Sequence, residues 1–97
     1  MTPLIWSSLA ERDVQAIRAY IAEDSARYAD LVVRRIIAGV EHVAEFPESG
    51  RIVPERDDPT IREVMVGPFR VVYRYRGDSV EIVTVFRSAR MFPADLP

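Results

Sequence analysis

The chain has 97 residues, 48% of them hydrophobic, and a net charge of −2 at pH 7. This length favours one domain over residues 1–97 and is too short for two. The sequence contains no cysteine and no lysine, which excludes disulfides, thiolate metal ligands and a lysine base, and its acidic balance argues against nucleic-acid binding by bulk charge.

The N-terminal segment, MTPLIWSS, predicts a short strand over residues 3–7 and no targeting signal. It has no basic region before an apolar run, and no apolar stretch of the chain approaches the roughly 18 residues of a membrane span. Pro3 is typical of an edge strand or of the first residue of a strand. We therefore expect no secretion signal, no contact with a membrane and a cytoplasmic location.

The next segment predicts two helices that pack as an antiparallel hairpin. Ser8 and Glu11 have the spacing of a capping box, so the first helix is expected to begin at Ser8. Asp24 and Ser25 end it and cap a second helix over residues 26–45, and the short turn favours antiparallel packing. The apolar stripes expected to face the core are Ala10, Val14, Ile17 and Ile21 in the first helix and Ala29, Val33, Ile36, Val40 and Val43 in the second, widened by Val32 and Ile37.

Residues 52–60 hold two prolines and four charged side chains and predict a loop, after which the pattern changes to strands. Strands are expected at 61–66, 69–76 and 79–87, joined by the turn pairs Gly67-Pro68 and Gly77-Asp78. The tail over residues 88–97 is expected to be irregular. The predicted class is α+β: an N-terminal strand and an antiparallel helical hairpin packed on a small antiparallel sheet, in the order β-α-α-β-β-β.

Two-residue turns would fix the register of these strands, so that Arg74 faces Glu81, Val72 faces Val83 and Arg70 faces Val85. The sheet face toward the helices would then carry Val64, Val66, Phe69, Val71, Tyr73, Tyr75, Val80, Ile82 and Phe86. The opposite face would carry Glu63, Met65, Arg70, Val72, Arg74, Arg76, Glu81, Val83, Val85 and Arg87. Such a mixture of apolar and charged side chains favours cover by a partner.

The arginines of the middle strand, Arg70, Arg74 and Arg76, have two interpretations. On an ordinary solvated sheet face, Arg74 would pair with Glu81 and Glu63 would neutralise Arg70, each exposed pair contributing about 0–1 kcal/mol. On a docking face, the same arginines would bind an acidic protein segment or a phosphate backbone.

The sequence offers few residues for catalysis. His42 is the one histidine, and on the predicted second helix it is expected to be a bystander. No His, Asp or Glu cluster has the spacing of metal ligands, no serine lies in a nucleophile elbow, and no glycine-rich phosphate loop occurs. We therefore expect no metal and no cofactor.

Along nearly its full length the sequence resembles the ParE/RelE superfamily of toxins from bacterial type II toxin–antitoxin systems, and it is closer to the ParE branch. The matching segments are IWSSLAERDVQAIRAYIAEDS, the apolar second helix, FPESGR at 46–51, IREVMVGPFRVVYRY at 61–75 and VEIVTVFRSAR at 80–90. The most specific features are the Arg62–Glu63 pair, the FRVVYR strand and the spacing of Arg87 and Arg90. The resemblance implies the fold already predicted, a helical hairpin on a small antiparallel sheet.

The two branches of the superfamily imply different activities. The RelE branch cleaves mRNA on the ribosome, and the resemblance places Arg70 and Arg90 at its phosphate-binding positions, with Glu63 as a candidate base. No lysine, no histidine after residue 42 and no tyrosine after residue 75 completes an acid–base set. The ParE branch inhibits DNA gyrase by binding. We therefore expect a growth-inhibiting gyrase inhibitor without catalytic chemistry, with a ribosome-dependent endoribonuclease or an inert toxin-like protein as alternatives.

The resemblance also implies the partners. These are a cognate ParD-like antitoxin that forms a hetero-oligomer with the toxin, and DNA gyrase or a related type II topoisomerase as target. The residues expected to bind antitoxin or target are Arg62, Arg70, Val72, Arg74, Arg76, Arg87 and Arg90.

Overall fold

A computed structural model describes residues 1–96, in which two helices pack on a five-stranded sheet. The elements are β1 (Leu4–Trp6), α1 (Ser8–Ala22), α2 (Ala26–Glu45), β2 (Arg51–Ile52), β3 (Ile61–Val66), β4 (Phe69–Tyr75) and β5 (Val80–Arg87). The predicted α+β class is confirmed. Strand β2 was not predicted, and its residue Ile52 was expected to lie in the 52–60 loop. Neither helix has the length and apolar character required to span a bilayer.

The strands lie in the order β1-β5-β4-β3-β2, and the sheet is mixed. The predicted antiparallel pairing of β3, β4 and β5 is confirmed, and β2 pairs antiparallel with β3. β1 pairs parallel with β5, which is possible because the helical hairpin returns the chain to the same end of the sheet. β1 is an edge strand, as Pro3 indicated.

Serine side chains begin both helices. Ser7, one residue before the predicted start, caps α1 by accepting a hydrogen bond from the backbone N–H of Ala10 at 2.9 Å. Ser25 caps α2 by accepting from the N–H of Tyr28 at 3.1 Å. The predicted helix start at Ser8 is confirmed, but the capping residue is Ser7 and not Ser8, because α1 follows directly after β1 ends at Trp6.

The first core lies between the helices and the sheet. The predicted α1 stripe packs there, and Ala10 is fully buried. In α2 the buried side is centred on Val32 and Ile36, whereas Val33 is only half-buried and Ile37 is 42% exposed. The inclusion of Ile37 in the stripe was wrong, because that position points to the outer side of the helix. The sheet residues of this core are Val64, Val66, Phe69, Val71, Tyr73, Tyr75, Val80, Ile82 and Val85.

A β-bulge in β5 changes the register that the turns predicted. Arg74 faces Glu81 as expected, but Val72 faces Thr84 and Arg70 faces Phe86, because the pairing shifts between Val72 and Tyr73. The predicted pairs of Val72 with Val83 and of Arg70 with Val85 were therefore wrong. The shift also exchanges the faces of two residues: Val85 packs in the first core and Phe86 packs on the opposite side of the sheet.

The opposite face of the sheet is covered by the chain's own tail. Val72 and Val83 are fully buried in a second cluster with Val53, Ile61 and Phe86, against which Phe92 and Leu96 pack. The tail lacks regular structure through residue 96, as predicted, and the last predicted tail residue, 97, lies outside the described part. The expectation that these valines await a partner was wrong, because Phe92 and Leu96 of the tail pack on their cluster.

Two glycines allow close approach between elements. A Cβ on Gly39 of α2 would lie 2.6 Å from a methyl group of Val66, so the helix can sit this close to β3 only without a side chain there. A Cβ on Gly50 would collide with the Tyr73 hydroxyl, which accepts from the Gly50 N–H at 2.9 Å and donates to the Pro47 carbonyl at 2.7 Å. Burial raises the pKa of Tyr73 and favours the neutral phenol that makes both bonds.

Candidate functional site

Arg70 of β4 lies at the centre of a buried ionic network rather than on a free cationic face. Its guanidinium donates two hydrogen bonds to Glu55, at 2.9 and 3.0 Å. Its Nε donates to Glu63 of β3 at 2.9 Å, and a second nitrogen also contacts Glu63. The side chain of Arg70 is 9% exposed and that of Glu63 is 1% exposed. The predicted neutralisation of Arg70 by Glu63 is confirmed, in a buried setting.

The arginines and carboxylates of this network are bonded to one another. Arg51 donates to the second oxygen of Glu63 at 2.6 Å, so both oxygens of that carboxylate are bonded to arginine. The hydrogen bonds from Arg70 lower the pKa of Glu55, and the two carboxylates raise the pKa of Arg70. The guanidinium carbon also lies 5.4 Å from the ring centre of Phe86 and 5.0 Å from that of Phe92. The network therefore joins strands β2 to β5, the loop that holds Glu55 and the tail.

The remaining residues of the predicted binding face are dispersed. Arg62 donates to the Gly50 carbonyl at 2.8 Å, and Arg74 pairs with Glu81 at 3.3 Å. Val72 is fully buried, while Arg76 is exposed beside the turn at Gly77. The structure therefore separates the seven predicted residues instead of assembling them on one face.

Arg87 and Arg90 lie together at a different place, which we call the basic cleft. It runs between α1 and the ends of β4 and β5 and is lined by Asp13, Ala16, Ile17, Tyr20, Ile21, Phe69, Val85, Phe86, Arg87 and Arg90. The Arg87 guanidinium lies 5.2 Å from the ring centre of Phe69, and that of Arg90 lies 5.7 Å from that of Phe86. Its floor is therefore apolar and aromatic, and its rim is cationic.

The basic cleft continues past the β3–β4 turn to α2. Ile21, Phe69 and Arg87 also line a neighbouring groove with Tyr28, Val32, Arg35, Ile36, Val66, Gly67 and Pro68. Tyr20 is 70% exposed and Tyr28 is 51% exposed along this path. Arg35, Arg87 and Arg90 form no ion pair with any carboxylate of residues 1–96. A ligand with carboxylates and apolar side chains would match this surface.

Asp13 has a structural role at this cleft that the sequence analysis missed. Its carboxylate accepts from the Val85 N–H at 3.0 Å and from the Thr84 hydroxyl, while Ser7 donates to the Val83 carbonyl at 2.7 Å. The Val83 carbonyl and the Val85 N–H lie beyond Ile82, the last residue of β5 that pairs with β1, and these side chains satisfy them instead. A signal was present, because Asp13 follows Ala10 by three residues and precedes Ile17 by four, which places it beside the apolar stripe.

His42 is exposed on α2, where its ring lies 5.1 Å from that of Phe46. No carboxylate or second histidine of residues 1–96 joins it in a cluster suited to a metal ion. The side chains of the ionic network are thus bonded to one another, whereas the basic cleft is open. The cleft is therefore the candidate binding surface.

Comparison with known proteins gives a consistent result. A family model described as "ParE toxin of type II toxin-antitoxin system, parDE" matches residues 4–92. "Toxin RelE2" of Caulobacter vibrioides is 34% identical over 92 residues, which cover 94% of this chain and all of that protein. "Putative toxin Y4kP" of Sinorhizobium fredii is 39% identical over 90 residues, which cover 91% of this chain and 90% of that protein.

One solved structure bears on the fold. A chain of the "Chromosomal ParDE TA system from P. aeruginosa" superposes with a TM-score of 0.74 at 24% identity, covering 90% of this chain and 96% of that chain. At this identity the likeness concerns the architecture, and it agrees with the helical hairpin on a sheet described above.

Proposed function

Because this chain belongs to the ParE toxin family and is a toxin of a type II toxin–antitoxin system, we propose that it inhibits DNA gyrase by direct binding. Such a toxin has an antitoxin partner, which on this proposal is ParD-like and neutralises it in a hetero-oligomer in the cytoplasm. Inhibition by binding needs a surface of the right shape and charge and no acid–base pair.

The ionic network is the observation that favours binding over RNA cleavage. The ribonuclease alternative would require Glu63 to accept the 2′-hydroxyl proton and Arg70 to hold the phosphate. Both oxygens of Glu63 are already bonded to arginine, and Arg70 is engaged by two carboxylates. Neither oxygen of Glu63 is therefore free to contact a substrate hydroxyl while these hydrogen bonds are in place. Arg90 alone remains accessible, and an arginine is a poor proton shuttle.

A ribosome-dependent endoribonuclease remains the second candidate, because one relative at 34% identity carries the name "Toxin RelE2". That mechanism would require substrate binding to open the network and free Glu63. Gyrase inhibition by binding is therefore compatible with a closed network, whereas RNA cleavage requires the same network to open.

We further propose that the antitoxin occupies the basic cleft. Three arginines that form no ion pair with a carboxylate of residues 1–96 surround an apolar floor, which fits an amphipathic segment with acidic residues along one side. Of the residues expected from the sequence, Arg87 and Arg90 belong to this surface. Arg62, Arg70, Val72 and Arg74 would act through the fold that they stabilise, and Arg76 would contribute only at the margin.

The deciding experiment assays the purified toxin in parallel for gyrase supercoiling and for mRNA cleavage in a translation extract. We expect loss of supercoiling with intact mRNA, and Glu63→Gln, if it folds, should keep that inhibition because no proton transfer is involved. Ribosome-dependent cuts that Glu63→Gln abolishes, with gyrase unaffected, would establish the nuclease instead. If neither activity occurs and growth is normal, the protein is an inert antitoxin-binding member of the family.

A further inference from the structure

The end of the tail lies across the second face of the sheet without hydrogen bonds to it. The tail is attached at its base, where the Ser88 N–H donates to a carbonyl of the β3–β4 turn at 2.8 Å and the Arg90 N–H donates to the Arg87 carbonyl at 2.9 Å. Within residues 1–96, no hydrogen bond or ion pair joins residues 91–96 to the rest of the chain. Beyond Arg90, the described contacts of the tail are therefore side-chain packing.

Two side chains of the tail make that packing. The ring of Phe92 meets the ring of Phe86 edge to face, with 5.8 Å between their centres, and its centre lies 5.0 Å from the guanidinium carbon of Arg70. Leu96 packs on the same cluster. Both Phe92 and Leu96 are only half-buried, and Met91 beside them is 87% exposed. The area that holds the tail is therefore small compared with the area buried between the helices and the sheet.

Open clefts flank residues 91–96 on two sides. One cleft lies between the tail and the loop that holds Glu55, and it reaches Arg70. The other lies between the tail and α1, beside Leu9 and Arg12. Segments with few buried contacts are those that open at the lowest free energy, without unfolding of the core. The tail can therefore lift from the sheet without displacing α1 or the loop.

The surface beneath the tail combines a cation with apolar side chains. Val72 and Val83 are fully buried while the tail is in place, and the Arg70 side chain is 9% exposed. Two rings lie near the Arg70 guanidinium, of which Phe86 belongs to the sheet and Phe92 to the tail. Lifting the tail removes one of these rings and the cover of the valines in the same movement.

We propose that residues 91–96 form a gating strap, which opens about Arg90 while the helices and the sheet stay folded. The closed strap is an autoinhibitory contact, because the tail itself occupies the second face of the sheet. The open strap exposes Arg70 together with the apolar cluster around Val72 and Val83. This device belongs to the free toxin and does not depend on which target the toxin inhibits.

Opening of the strap also loosens the ionic network. Hydrogen bonds between charged groups are stronger where water is excluded, and the strap helps to exclude water from Arg70. The Arg70 Nε–H donates to Glu63 at 2.9 Å in this covered position. With the strap lifted, water competes for that N–H. Its exchange with solvent hydrogen therefore measures how often the strap opens.

Hydrogen exchange of the Arg70 Nε–H, followed by NMR in the full-length wild-type toxin, tests the gate. Opening of the strap exposes little surface, so this exchange should be almost independent of urea at concentrations below the unfolding transition. The backbone N–H of Val71, in the ladder between β3 and β4, should instead show the full urea dependence of global unfolding. Parallel urea dependences at Arg70 and Val71 would overturn the proposal, because the strap would then open only with the whole fold.

Phe92→Ala and Met91→Ala are a matched pair of variants in the strap. Phe92→Ala removes the ring near Arg70 and should accelerate exchange of the Arg70 Nε–H at least about tenfold. Met91→Ala removes an exposed side chain and should leave that rate unchanged. The Arg18 Nε–H, which is bonded to Asp30 between the helices, is the internal control in both variants.

Two results with these variants would contradict the gate. Equal Arg70 exchange rates in Phe92→Ala and Met91→Ala would show that the strap does not control access to the network. A Phe92→Ala chain that fails to fold by circular dichroism would show that the tail is an integral part of the fold and cannot open by itself.

Discussion

At the scale of single residues, the structure changes the interpretation of Arg70. Its place in the row Arg70, Arg74 and Arg76 suggested a docking face, and its place in the fold is a buried network with Glu55 and Glu63. Breaking a buried ion pair by removing one partner leaves the other charge uncompensated. Loss of function in an Arg70 variant would thus reflect loss of structure.

Glu55 makes the stability of the network depend on pH. The hydrogen bonds from Arg70 lower its pKa below the usual value of 4.5, so the folded state binds this proton less readily than the unfolded state. The stabilisation is present above about pH 4.5 and is lost as the pH falls through the lowered pKa of the folded protein. Urea unfolding of wild type should therefore show decreasing stability below pH 4.5, with a shallower decrease in Glu55→Gln. Glu41→Gln, at an exposed position of α2, is the control, and identical slopes for Glu55→Gln and wild type would contradict the assignment.

At the scale of the elements, the bulge in β5 decides which side chains form the basic cleft. Without it Val85 would leave the first core and Phe86 would turn toward the helices. Asp13 of α1 and its capping residue Ser7 bond to β5 beside the bulge, so the shape of the strand depends on residues 72 and 76 positions away in the sequence.

Removal of the Asp13 carboxylate should destabilise this arrangement. Asp13→Ala leaves the Val85 N–H and the Thr84 hydroxyl without an acceptor at buried positions, at a cost of about 1–3 kcal/mol in the free energy of unfolding. Asp13→Asn retains an oxygen acceptor and should lose less than half as much. The measurement is the urea unfolding midpoint, with Arg12→Ala as the exposed neighbouring control. Equal losses for Asn and Ala would show that the charge of Asp13 matters instead of its hydrogen bonds.

At the scale of the whole molecule, both faces of the sheet are occupied by the chain itself. The helices cover one face, and Phe92 and Leu96 of the tail cover the other. Surface left for partners lies at the seam between α1, α2 and the sheet and beside residues 64–66 of β3, which β2 does not pair with.

Antitoxin affinity should depend on the rim of the basic cleft. The double variant Arg87→Ala/Arg90→Ala should bind antitoxin at least about tenfold more weakly, because two cations that meet acidic residues of the partner are lost. The unfolding midpoint should stay close to that of wild type, since neither arginine forms an ion pair within the described residues 1–96. Arg34→Ala, exposed on α2 outside the cleft, is the matched control for isothermal titration. Unchanged binding by the double variant would move the interface away from the cleft.

The sequence by itself determined the elements that depend on local chemistry. Ser25 and the apolar period specified α2 from Ala26 to Glu45, and Gly67-Pro68 specified the register of β3 on β4. Caps, turns and periodicity act over a few residues, so a single sequence records them. The family was likewise recognised from the sequence, because short matching segments occur in the same order along the chain.

Only the tertiary structure decided the site. Three features depend on contacts between residues seven or more positions apart in the sequence: the burial of Arg70, the hydrogen bonds of Asp13 to β5 and the position of the tail. No local period encodes such contacts, because they depend on how the helices and the sheet pack. The same packing buries Arg70 and leaves Arg87 and Arg90 accessible. It also leaves residues 64–66 of β3 without a paired strand on the β2 side.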